Sequence, residues 1–194
     1  MQLADRMGAM WDVLQYRLRR SVPPPHTVKL NWIQYFGKAC KVHTLVETGT
    51  YYGATVEAML QRFEQIYTIE LAADLYERAE KQFAGCQHVH VLHGNSAEVL
   101  PPLLEAIHEK CLFWLDGHYS GSGTARGSVD SPIAGELSAI RRHLRNDHVI
   151  LIDDARLLDG TNGYLTLQET FSLLREINPR YTIRQRDDII QAYR

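Results

Sequence analysis

Cysteine is scarce in this 194-residue sequence, and Cys40, Cys86 and Cys111 are widely spaced and odd in number. That pattern supports neither a disulfide framework nor a zinc knuckle, and isolated thiols fit a reducing compartment. No apolar run approaches the ~20 residues of a membrane span, and the N-terminus lacks a signal peptide's apolar core. The expectation is a cytoplasmic protein with no membrane association. An excess of charge is missing too: 21 Lys+Arg face 23 Asp+Glu, a net charge of −2, with no basic block. Nucleic-acid binding by phosphate neutralisation is therefore not expected. No internal repeat or low-complexity tract is present. What remains is 45% apolar and 23% charged residues, the composition of a globular domain long enough to bury a substantial core.

Residues 3–20 carry Leu3, Met7, Met10, Trp11, Leu14 and Leu18 at helical spacing and end in Arg17, Arg19 and Arg20, which suit a helix C-terminus. This helix is expected to pack on the body of the protein or on a second copy, as a homodimer contact. Ser21-Val22-Pro23-Pro24-Pro25 stops it, and a second helix is predicted over 27–39. Strands and helices then alternate: strand 66–70, helix 72–83, strand 88–92, a helix over 96–108 broken in two by Pro101 and Pro102, strand 111–116, helix 132–144, strand 148–153 and helix 165–177. Such alternation predicts an α/β, Rossmann-like parallel sheet covered on both faces. Residues 181–184 and 189–193 are too close for a parallel crossover and predict an antiparallel hairpin joined by a tight Gln185-to-Asp188 connection. His88 and His90 alternate with Val89 and Val91, which reads as an edge strand in preference to a metal site.

The chain is organised around Thr44 to Gly53, T-L-V-E-T-G-T-Y-Y-G. A short apolar run ends in Glu47, glycines follow at 49 and 53, and Ala54 to Leu60 suits a helix. Strand, glycine turn and helix N-terminus form the arrangement by which open α/β sheets cradle a ligand. Gly49 allows positive φ, while Gly53 permits either close helix packing or close approach of a ligand. Tyr51 stands where a dinucleotide fingerprint would want glycine, which argues against a pyrophosphate and for a nucleoside with an amino-acid tail. A plain structural turn is the alternative.

Ligands of such sheets lie beyond the carboxyl ends of the strands, and the five expected parallel strands finish in Glu47, Glu70, Gly94-Asn95-Ser96, Asp116-Gly117-His118 and Asp153-Asp154. Glu70 lies about where an acid accepts both hydroxyls of a ribose. Asn95 can cap the next helix, with Glu98 completing a capping-box-like pattern. The series Glu47 to Gly53, Glu70, Gly94-Asn95-Ser96 and the terminal hairpin resembles the class I S-adenosylmethionine-dependent methyltransferases over about residues 41–194, leaving 1–40 as an N-terminal helical extension. The resemblance implies a seven-stranded sheet of order 3-2-1-4-5-7-6. It also implies roles: Glu47, Thr48, Gly49, Thr50, Tyr51 and Gly53 hold the methionine part of S-adenosyl-L-methionine, Glu70 and Leu71 the ribose, Asn95 and Ser96 the adenine. Tyr51 departs from the family's usual middle glycine.

Asp116, Asp153 and Asp154 also resemble the magnesium-holding acids of macrocin-type and catechol-type O-methyltransferases, and hard oxygen ligands at neighbouring strand ends suit Mg²⁺. Asp153 and Asp154 reach one ion only if the strand has already turned, since consecutive strand residues face opposite ways. Otherwise Asp154 caps a turn and Asp116 hydrogen-bonds the cofactor. His118 is the candidate general base; Ser120 to Ser128 forms a substrate lid or a surface loop, and Tyr119 and Arg126 are candidate substrate contacts. The expected function is methyl transfer to a small polar or glycosylated hydroxyl compound. The alternatives are a nicotinamide-dependent oxidoreductase and a non-catalytic module that binds adenosyl ligands or a partner.

Overall fold

The computed structural model describes residues 11–18, 23–117, 131–161 and 163–194. Residues 11–18 form helix α1, and the rest of the longer N-terminal helix expected over 3–20 lies outside the described residues. The chain then runs α2 His26–Ala39, β1 Thr44–Thr48, α3 Ala54–Met59, β2 Gln65–Glu70, α4 Ala73–Phe83, β3 Val89–His93, α5 Ser96–Ala106 and β4 Cys111–Leu115. It continues through α6 Ile133–Arg142, β5 Val149–Ile152, a 3-10 turn Ala155–Leu157, α7 Leu167–Ile177, β6 Thr182–Arg186 and β7 Ile189–Tyr193. The strands form one sheet of order β3-β2-β1-β4-β5-β7-β6. β1 to β5 are parallel to one another, and β7 is antiparallel to both β5 and β6. This is the order that the methyltransferase resemblance implies.

Each strand's place follows from its composition. β1, β4 and β5 are buried along their whole length, as near-continuous apolar runs must be when helices cover both faces. One face presents Val46, Phe113 and Ile150 to Leu100 and Leu104 of α5, Leu137 and Ile140 of α6 and Leu174 of α7. The other presents Leu45, Leu112 and Leu151 to Ile33 and Phe36 of α2, Val56 and Met59 of α3 and Phe83 of α4. β3 and β6 are the half-exposed edges. On that first edge His90 stacks on Tyr67 and hydrogen-bonds Gln65, and His88 bonds the Leu60 carbonyl.

Pro101 and Pro102 do not break α5, contrary to the sequence expectation. Their fixed φ is helical, and the hydrogen bonds they forgo would have gone to carbonyls only one turn from the helix start. Buried Leu100 and Leu104 hold the helix against the sheet on either side of the pair.

The closing hairpin turns on Asp187 and Asp188, whose φ values of 53° and 60° are both left-handed, as a two-residue turn that follows strand twist requires. β6 thus runs to Arg186, two residues beyond the expected strand end. Both turn acids are used as fasteners. Asp187 accepts from Tyr16 Oη of α1 at 2.9 Å and from Trp32 Nε1 of α2 at 2.8 Å. Asp188 accepts from the Arg156 amide at 2.9 Å and from its guanidinium.

Candidate functional site

The five parallel strands end at a common level, because the registers pair Thr48 with both Ile69 and Leu115, Leu115 with Ile152, and Ile69 with Leu92. After Thr48 the chain cannot continue as strand. Gly49 has φ 86°, and its amide donates to the Ile69 carbonyl at 2.9 Å. Tyr51 follows with φ 50°, a conformation uncommon for a bulky residue. What holds it there is Glu70, whose Oε2 accepts from the Tyr51 amide at 2.7 Å while Oε1 accepts from the Ala72 amide at 2.9 Å. Glu70 therefore ties the glycine loop to the start of α4. Each of its oxygens retains a second lone pair for a ligand hydroxyl. Gly53, with φ 76°, makes close packing: a Cβ there would come within 2.8 Å of the Phe83 ring.

Beneath the loop lies a buried polar ladder. Thr68 Oγ1 donates to Glu47 Oε2 at 2.6 Å, leaving Thr50 Oγ1 to donate to Thr68 Oγ1 at 2.6 Å. Glu47 is 1% exposed. Burial pushes its carboxyl up to about 7 despite hydrogen bonds from Thr68 and Thr55. Thr48 is also buried, with its hydroxyl 3.2 Å from the Asp116 amide. Leu71 is half-buried, and its carbonyl meets His93 Nε2 at 3.2 Å.

Asn95 caps α5, its Oδ1 accepting from the Ala97 amide at 3.1 Å. Ser96 turns inward and donates to Glu136 Oε1 at 2.5 Å. Glu136 itself, buried at the start of α6, was missed by the sequence reading. It was legible as an acid three residues after Ile133 and four before Ile140, on the apolar stripe of its helix.

The acids at the ends of β4 and β5 do converge. Asp116, Asp153 and Asp154 each offer an oxygen, and these oxygens lie within 4.8 Å of one another. The condition on neighbouring acids is met by the backbone. β5 ends at Ile152, and Asp154 adopts φ 52°, ψ 47°, which returns its carboxylate to the side of Asp153. Strained left-handed residues of this kind cluster at functional sites. Burial, then the charge of Asp153, raises the Asp116 carboxyl well above the usual range. Burial also raises Asp153, against the pull of Lys29.

Among the described residues, two cations enter this cluster. Lys29 of α2 ion-pairs with Asp153 Oδ2 and lies 3.4 Å from Asp154 Oδ1. Arg156 Nη1 donates to Asp154 Oδ1 at 2.7 Å and also pairs with Asp188. Burial works against the charge on Lys29, yet Asp153, backed by Asp116 and Asp154, holds its pKa above the ordinary lysine value. Neither cation was singled out from the sequence. Beside the acids a small, solvent-open cleft is lined by Gly117, Pro132, Ile133, Asp153, Asp154 and Tyr164, among others. His118, Tyr119, Arg126 and the loop Ser120 to Ser128 lie outside the described residues.

No protein-family model matches the sequence, and no curated protein matches it. Solved structures do match. An O-methyltransferase from Bacillus cereus in complex with S-adenosylhomocysteine superposes with TM-score 0.60 at 14% identity, over 96% of this chain and 91% of that one. The S-adenosylhomocysteine-bound methyltransferase PaMTH1 of Podospora anserina gives 0.56 at 16%, over 100% and 88%. The methyltransferase domain of bacterial CtHen1 gives 0.54 at 9%, over 86% and 97%. The chain has the fold these methyltransferases share.

Proposed function

We propose that the chain is an S-adenosylmethionine-dependent methyltransferase acting on a hydroxyl of a small polar or glycosylated compound. The observation that carries this reading is the contact between the glycine loop and the acid cluster. Gly49 packs so closely on the end of β4 that a Cβ there would lie 2.5 Å from the Asp116 carbonyl oxygen. A cofactor cradled by Glu47 to Gly53, with Glu70 and Leu71 at its ribose and Asn95 and Ser96 at its base, would thus meet an acceptor lying over the three aspartates. The cofactor supplies a methyl group on a sulfonium, transferable in line to a nucleophile.

In this reading Glu70 keeps the loop closed and orients the sugar. The buried Thr50-Thr68-Glu47 ladder fixes the loop from below, so the strand ends stay rigid while the acceptor is positioned. Asp116, Asp153 and Asp154 would hold a divalent cation such as Mg²⁺. Asp153 Oδ1 fits that role: it is buried and has no hydrogen-bond partner among the described residues. His118, two residues past Asp116 in the sequence, is the proposed acceptor of the hydroxyl proton. A nicotinamide-dependent role is disfavoured by Tyr51, half-exposed in the turn where a dinucleotide would need glycine. Trp11, Leu14 and Leu18, exposed at helical spacing on α1, support a homodimer contact there, which light scattering would test.

Calorimetry with S-adenosylhomocysteine, followed by radiolabelled methyl transfer to hydroxyl and amine acceptor panels, tests the proposal. Glu70→Ala is expected to weaken binding about ten- to a hundredfold, since a lost charged hydrogen bond costs about 1.5–3 kcal/mol. Binding of a nicotinamide dinucleotide in place of the adenosyl ligand would overturn the reading. Tight adenosyl binding with no turnover across both panels would favour a non-catalytic module instead.

A further inference from the structure

We infer that Lys29, reaching in from α2, is the resident counter-charge of the Asp116-Asp153-Asp154 cluster, so that a divalent cation enters by displacing its ammonium. The inference rests on the proposed divalent-cation site and adds to it a residue from outside the stretch that resembles methyltransferases.

The sequence places Lys29 four residues before Ile33 and seven before Phe36, both fully buried against the sheet. All three lie on one face of α2, so the fold carries a lysine into its interior. Its side chain is only 15% exposed and its ammonium touches Asp153 Oδ2 and approaches Asp154 Oδ1. A divalent ion needs the same carboxylate oxygens, at about 2.1 Å for Mg²⁺. A monovalent ammonium already on those oxygens would repel it.

Lysine is an incomplete occupant. With Lys29 in place, Asp153 Oδ1 still has no partner among the described residues, although an unsatisfied buried acceptor is costly. The surrounding parts are arranged so that only the side chain must leave. Trp32, one turn after Lys29, is tied to Asp187 at 2.8 Å, and Ile33 and Phe36 anchor the helix in the core. Arg156 is held on both Asp154 and Asp188 and balances part of the charge in either state. The four-carbon stem of Lys29 can carry its ammonium to the rim by bond rotation alone. Apparent cation affinity is then lowered by the fraction of molecules in which Lys29 is out of the cluster.

The experiment is a calorimetric titration of Mn²⁺ into the full chain, comparing wild type, Lys29→Met, Lys29→Gln and Lys29→Met/Asp153→Asn, each checked for folding by circular dichroism. In chelator, Lys29→Met should melt below wild type, because buried carboxylates have lost their counter-charge. It should bind Mn²⁺ at least tenfold more tightly than wild type, and adding Asp153→Asn should remove that gain. Lys29→Gln carries the same comparison if the methionine variant fails to fold. Amine acylation of wild type, mapped by mass spectrometry, should modify Lys29 faster with saturating Mn²⁺ than in chelator. Equal Mn²⁺ affinity in wild type and both Lys29 variants, or unchanged labelling, would overturn the displacement and leave the cation site standing. No saturable binding in any folded variant would remove the cation site and the inference with it.

Discussion

Gly49→Ala is expected to destabilise the protein by about 2–5 kcal/mol, combining left-handed backbone strain with overpacking. Its φ of 86° is unfavourable for any L side chain, and the added Cβ would lie 2.5 Å from the Asp116 carbonyl oxygen and 3.0 Å from its carbonyl carbon. These are backbone atoms at the end of β4 and cannot rotate aside. The loop would have to lift, pulling the Tyr51 amide away from Glu70. Urea denaturation measures the cost, and S-adenosylhomocysteine affinity should fall in the same variant wherever it remains folded. Gly85→Ala is the control, since nothing lies within 4 Å of a Cβ there. Equal midpoints for the two variants would show that the glycine loop does not rest on β4.

The second large effect is on pH dependence, through two buried groups with opposite signs. His148 is fully buried. Its Nδ1 accepts from the Cys111 amide at 3.0 Å, so its Nε2 proton is donated to His143 Nδ1 at 2.8 Å, and His143 Nε2 in turn donates to the Ile107 carbonyl at 2.7 Å. Accepting the Cys111 amide at Nδ1 requires the His148 ring to be neutral. Burial, then the neighbouring His143, pushes His148 down to about 4 from an ordinary 6.5. Between these values the unfolded chain binds the proton that the folded one refuses. The stability from neutral His148 is therefore complete above pH 6.5 and lost as pH falls through 4, by about 3 kcal/mol in total.

Glu47 runs the other way. Its carboxyl is raised by burial from 4.5 to about 7, so the folded state binds the proton more tightly. That contribution is complete below pH 4.5 and lost as pH rises through 7, again by about 3 kcal/mol. The two slopes oppose each other between pH 4.5 and 6.5, and wild type should show little net change from them in that window. Glu47→Gln should remove the glutamate slope, so that its stability rises relative to wild type as pH goes from 4.5 to 7. His148→Gln should expose the glutamate slope, with stability falling from pH 4.5 to 7. Urea melts at half-unit intervals read both. Parallel profiles for wild type and the two variants would show that neither group is perturbed as described.

Much of the architecture was legible one residue at a time. Thr44 to Thr48, Cys111 to Leu115 and Val149 to Ile152 are short apolar runs with an acid inside or just beyond them, and that pattern belongs to strands covered on both faces. Because parallel strands point the same way, acids at their carboxyl ends had to gather along one edge of the sheet. The antiparallel hairpin followed from its short connection. Gly49 was marked by its place between a strand and a helix.

Local pattern did not reach the partners of these residues. Asp153 and Asp154 face together only because Asp154 turns left-handed, a backbone state sequence does not dictate for aspartate. Pro101 and Pro102 looked like helix breakers because propensity is local; the packing of Leu100 and Leu104 that keeps α5 whole is not. Lys29 and Glu136 looked like ordinary helix charges until the sheet placed one beside Asp153 and the other beside Ser96. The sequence by itself determined which elements form and which end of the sheet carries the acids, since periodicity and chain direction are properties of neighbouring residues. Tertiary structure alone decided which charges meet, because Lys29 and Asp153 are brought together by the packing of α2 against the sheet, and no local preference encodes a contact between such distant segments.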